Sequence, residues 1–135
     1  MFNVEGKEEN MKIEKFEDIK AWKHAEELTV EVYKIKCKTA YGIDIGYKDQ
    51  IQRACISIMS NIAEGFERGT NKEFIRFLYI AKGSCAEVRS LLHIGQLLGY
   101  ISSNKYEELL KLATDTSKLI AGFIKYLKGL EENKL

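Results

Sequence analysis

Apolar residues return every three or four positions along most of this chain, the interval at which side chains line one side of an α-helix. The pattern predicts four helices. The first, over about 17–38, gathers Ala21, Trp22, Ala25, Leu28, Thr29, Val32, Tyr33 and Ile35 on one face, and leaves Lys20, Lys23, Glu27, Glu31, Lys34 and Lys38 on the other. Gly42, Asp44 and Gly46 interrupt the pattern, so 39–46 reads as a loop. The second helix, about 47–65, has Ile51, Cys55, Ile58, Met59 and Ile62 as its apolar stripe. Beside it runs a polar stripe of Gln50, Arg53, Ser57, Asn61 and Glu64, in which Ser57 and Asn61 lower helix propensity and so suit a contact better than open solvent.

Thr70 followed by Glu73 is a capping box, in which each side chain reaches an unpaired amide at the helix start; the third helix should begin there. Phe74, Phe77, Leu78, Ala81, Cys85, Val88, Leu91, Leu92 and Gly95 form its apolar face, while Gly83, Ser84 and Gly95 keep it narrow enough for a neighbour to approach. Ser102 or Ser103 caps the fourth helix, which runs to about 130 and buries Leu109, Leu110, Leu112, Ala113, Thr116, Leu119, Ile120, Phe123, Ile124, Leu127 and Leu130. Four such helices with short connections predict an all-α fold, an antiparallel up-down-up-down bundle over 13–135, with no strand. The segment 1–12 carries few apolar residues and is expected to be a disordered arm.

Composition supports the helical reading: 135 residues suit one domain, and they contain no proline, the residue that breaks helix interiors. Cys37, Cys55 and Cys85 are odd in number and widely spaced, which suits buried thiols in a reduced, cytoplasmic protein. No apolar run approaches the roughly 20 residues of a membrane span, so no membrane association is expected.

Catalytic patterns are missing. The two histidines, His24 and His93, lack the Glu-x-x-His arrangement of metal-binding bundles, and no serine or cysteine has a companion base at a useful spacing. Neither an enzyme nor a metal or other cofactor is expected. The net charge of +1, from 21 basic and 20 acidic residues, gives no overall field, so binding to a polyanion must rest on local patches.

Three patches qualify. Lys111, Lys118 and Lys125 recur every seven residues along the fourth helix and could follow a phosphate backbone, or form a solvated face balanced by Glu107, Glu108 and Asp115. All four arginines, Arg53, Arg68, Arg76 and Arg89, fall on the second and third helices or their junction, near Lys72 and Lys82. Arginine's planar fork suits phosphate, although Glu64, Glu67, Glu73 and Glu87 could engage the same groups. The third is the basic cluster Lys34, Lys36 and Lys38 at the end of the first helix, where cations also complement the dipole of a helix C-terminus.

The run from Gln50 through Arg53, Ser57, Asn61 and Glu64 to Gly65, then Glu73-Phe74-Ile75-Arg76-Phe77-Leu78-Tyr79-Ile80-Ala81-Lys82-Gly83-Ser84 with Glu87, resembles the four-helix-bundle proteins encoded in ribosomal-RNA intervening sequences. Phe16-Glu17-Asp18-Ile19-Lys20-Ala21-Trp22 and Leu98-Gly99-Tyr100-Ile101 extend the resemblance to nearly everything after the arm. The chain is also similar to the accessory variability proteins of diversity-generating retroelements, although its balanced charge departs from their strongly basic character. The resemblance implies a cone-shaped homopentamer, nucleic-acid binding through basic surfaces and association with a reverse transcriptase.

Two functions follow as expectations. In the first, an oligomeric accessory protein holds RNA or DNA through Arg53, Arg68, Lys72, Arg76, Lys82, Arg89, Lys111, Lys118 and Lys125, without base-specific readout. In the second, a structural or protein-docking oligomer uses Gln50, Ser57, Asn61, Glu64, Ile75 and Tyr79 as subunit contacts and has no nucleic-acid role.

Overall fold

The computed structural model describes residues 13–133. A 3-10 turn, Phe16–Asp18, leads into α1 (Lys20–Tyr33). A small hairpin follows, β1 (Lys38–Thr39) antiparallel to β2 (Gly42–Ile43), and then α2 (Ile45–Glu67), α3 (Asn71–Leu97) and α4 (Ser103–Glu132). Helix α1 packs on α2 and α4, and α3 packs on the same two, so the four helices close into a bundle. Their apolar stripes meet along its axis, where Leu28, Ile51, Ile58, Ile62, Leu78, Leu92, Leu109, Ile120 and Leu127 are fully buried.

The three long helices share one starting device. Asp44 Oδ1 accepts from the Tyr47 amide at 3.0 Å, Thr70 Oγ1 from the Glu73 amide at 3.2 Å and Ser102 Oγ from the Lys105 amide at 3.2 Å. Each satisfies an amide that the helix itself leaves unpaired. The Thr70 box is only half reciprocated, because the Glu73 carboxylate turns to Arg76.

The fold departs from the sequence reading in several places. Two short strands occupy 38–43, where a plain loop was expected, and α2 begins at Ile45, inside that loop. Helix α1 stops at Tyr33, and the chain turns into the hairpin through Cys37, which adopts a left-handed φ of 55° and accepts at its carbonyl from the Asp44 amide at 2.9 Å. Tyr33 is consequently exposed, while Ile35 is buried just beyond the helix. The expected arm, 1–12, lies outside the described residues.

Two glycines change roles. Helix α2 does not stop at Gly65 but continues to Glu67, and a Cβ at Gly65 would lie 2.6 Å from Phe77 Cβ and 3.0 Å from the Phe74 ring. Gly65 is thus a point of close approach between α2 and α3. Gly83 instead has nothing within 4 Å of where a Cβ would stand, so no helix of the same subunit crosses there. Gly95 does serve a close contact, since a Cβ there would collide with the Tyr47 hydroxyl, which donates to the Leu91 carbonyl at 2.5 Å.

Candidate nucleic-acid interface

The polar stripe of α2 turns mainly toward α3. Ser57 Oγ and Ser84 Oγ lie 2.8 Å apart, and Asn61 Nδ2 donates to the Ser57 carbonyl at 2.8 Å and to its hydroxyl at 3.1 Å. Gln50 Nε2 donates to the Glu87 carboxylate. Among the residues expected as subunit contacts, Gln50, Ser57 and Asn61 therefore use their hydrogen bonds inside the subunit. Glu64 pairs with Arg68 at 3.0 Å, and Ile75 packs half-buried against the core.

Four of the nine cations expected to meet phosphate are held in ion pairs one helical turn long: Arg53 with Asp49 at 2.8 Å, Arg68 with Glu64, Arg76 with Glu73 at 2.8 Å and Lys111 with Asp115 at 2.8 Å. These pairs hold the Glu73 and Asp115 carboxyls below their ordinary range. Exposed pairs of this kind contribute little, so a phosphate could replace the carboxylate at little cost. Lys72, Lys82, Arg89, Lys118 and Lys125 make no ion pair among the described residues.

The cations do not form a single surface. At the α2–α3 junction, Arg68 and Arg76 both lie over the Phe77 ring, at 4.9 and 4.5 Å from its centroid, with Lys72 one turn before Arg76. The lysine row of α4 divides. Lys118 borders a shallow depression with Lys20, His24 and Asp115 between α1 and α4, whereas Lys125 turns to the other side.

There it joins a groove of about 500 Å³ between α3 and α4, lined by Tyr79, Lys82, Ala121, Ile124, Lys125, Lys128, Gly129 and Glu132. Lys128 Nζ donates to Tyr79 Oη at 2.5 Å and stands 5.0 Å from the centre of its ring. Lys128 was missed from sequence, because only the register of α4 against α3 brings it to Tyr79. Tyr79, expected at a subunit contact, here forms a wall of the basic groove.

The chemical character of the remaining groups is plain. Burial raises the Cys55 and Cys85 thiols to about 12, and hydrogen bonds from Lys105 and from Tyr100 lower the Glu31 and Asp44 carboxyls. These shifts all move away from the neutral range in which a general acid or base works. Among the described residues, no group of three or more His, Cys, Asp or Glu side chains converges to hold a metal ion, and no helix is long and apolar enough to cross a membrane.

The sequence pattern of 23S rRNA-intervening sequence proteins matches residues 17–122. The chain belongs to that family. A solved relative shows the same fold: a protein of unknown function from the S23 ribosomal protein family of Bacteroides thetaiotaomicron is 26% identical, with a TM-score of 0.69 over 78% of this chain and 98% of the other. No curated protein matches the chain. For this intervening-sequence protein, Arg53, Arg68, Lys72, Arg76, Lys82, Arg89, Lys111 and Lys118 fall within the matched stretch, and Lys125 and Lys128 fall beyond it.

Proposed function

We propose that this protein is a non-enzymatic, oligomeric accessory protein that binds RNA or DNA through basic surface patches without sequence-specific readout. The observation that carries the reading is the set of five cations without an ion-pair partner among the described residues, two of which meet Lys128 along the α3/α4 groove. Lysine dominates that set, and lysine contacts phosphate as a point charge rather than reading base edges. Three of the four arginines, the side chains best able to read guanine, are paired within their own helices. Assembly as a homopentamer would repeat each weak patch five times and raise the overall affinity by avidity.

Gel shifts with structured RNA and with duplex DNA over a salt series test the reading. Affinity should fall steeply as salt rises, with a slope of about −0.9 per phosphate contact on duplex, and Lys82→Gln or Arg89→Gln should each reduce that slope by about 1. Absence of binding at low salt would remove the reading.

One observation favours a purely structural or protein-docking oligomer. Gly83 opens onto empty space on α3, and Ile80, three residues before it on the same helix, is exposed, a combination that suits close packing by a second chain. In that case the oligomer would form and nucleic acid would not bind.

A further inference from the structure

We infer that the α3/α4 groove is a single-strand site, in which an unpaired base of RNA or DNA stacks on Tyr79 while Lys82, Lys125 and Lys128 hold the flanking phosphates. The inference rests on the nucleic-acid reading above and specifies its substrate. A flat surface of lysines would attract any polyanion, duplex included, because phosphate contacts carry no information about strand pairing. What distinguishes this groove is a half-exposed aromatic ring set among the lysines. In a duplex the base faces are stacked on one another and unavailable to a side chain, whereas an unpaired base offers its face to an aromatic ring.

The ring face is open to a base: the Lys128 ammonium donates to the hydroxyl and, 5.0 Å from the ring centre, stands at the hydroxyl end of the ring rather than on its face. Stacking a base there contributes about 5- to 150-fold. The base therefore need not displace the ammonium, and Lys128, on its flexible stem, can turn from the hydroxyl to the phosphate that arrives with the base.

The floor of the groove fits this use. Gly129 lines it, and a Cβ there would meet nothing within 4 Å, so the backbone of α4 is open to close approach. Among the described residues that line it, Glu132 is the only carboxylate, against three lysines, so the local charge favours an anion although the whole chain is nearly neutral. Tyr79 and Lys82 are three residues apart on α3, and Lys125 and Lys128 three apart on α4, so base and phosphate contacts lie on facing helices.

Fluorescence anisotropy tests the inference, using labelled oligouridylate and oligothymidylate of about 15 nucleotides and a duplex of the same length, near the site sizes of single-strand binders. Tyr79→Ala should weaken binding of both single strands by about 5- to 150-fold and leave the duplex within about twofold, while Tyr79→Phe should behave as the unaltered protein. Lys125→Gln should lower the salt slope on single strands by about 0.7. If Tyr79→Ala lowers the melting temperature, Tyr79→Leu replaces it, keeping apolar bulk without the aromatic face. A Tyr79 variant that leaves single-strand binding unchanged, or weakens both forms equally, would overturn the single-strand site while nucleic-acid binding itself stands. If the unaltered protein binds neither form, both readings fall.

Discussion

Gly65 and Gly83 both lie inside helices, and their surroundings give them opposite tasks. A methyl group at Gly65 would press on the Cβ of Phe77, an atom fixed to the α3 backbone, so the two helices would have to separate. Gly65→Ala should therefore destabilise the protein by about 1–3 kcal/mol, the usual cost of overpacking. At Gly83 a methyl group meets open space, and Gly83→Ala should stabilise the isolated subunit by up to about 1 kcal/mol through helix propensity alone. Thermal unfolding followed by circular dichroism checks both, and shifts in the same direction would contradict the assignment. The sequence suggested the reverse, a helix stop at Gly65 and a helix crossing at Gly83. A glycine shows that something needs room or freedom, but which neighbour needs it is a property of packing.

At the scale of elements, one carboxylate joins the hairpin end of the bundle. Asp44 caps α2 through the Tyr47 amide and accepts from Tyr100 Oη at 2.6 Å, while the Tyr47 and Tyr100 rings meet edge to face at 5.1 Å. The hydrogen bond from Tyr100, then that from Tyr47, lowers the Asp44 carboxyl, and the same bond pushes the Tyr100 hydroxyl up to about 12. A carboxyl whose native value is depressed contributes stability that is present above its unfolded value, about 3.9, and is lost as pH falls through the native one. Asp44→Asn should consequently melt lower than the unaltered protein at neutral pH, with the difference shrinking below about pH 4; melting curves across that range would show it, and a constant difference would contradict it.

The elements themselves were largely legible. Helical periodicity located all four helices, and Thr70 and Ser102 marked two of their starts. The hairpin was not legible, because two-residue strands carry no periodic signal. Nor was the Asp44–Tyr100 bond, which joins groups 56 residues apart.

For the whole molecule, the balanced charge conceals an uneven surface. Tyr41, Ile43, Ile45, Ile94, Leu97 and Leu98 are exposed around the hairpin, the start of α2 and the end of α3, all at one end of the bundle. A lone subunit would expose this apolar end to water. Sedimentation velocity should therefore show an oligomer at micromolar concentration, and a monomer would count against both functional readings. The cationic residues were named from sequence, but their division among the junction, the α1/α4 side and the α3/α4 groove depends on how neighbouring helices align. That alignment is set by core contacts between helices, such as the Phe74 ring of α3 against the Phe123 ring of α4, 5.2 Å between centroids.

Ile13 is fully buried although it precedes the matched stretch at residue 17, and the Lys125 and Lys128 wall of the groove follows its end at residue 122. The matched stretch thus spans less than the folding unit at both ends. A homologue could retain every matched position, keep the bundle and still lack the groove, so ancestry and ligand need not travel together. Sorting relatives by Tyr79 together with the pair at 125 and 128 would divide them along a line that family membership does not draw.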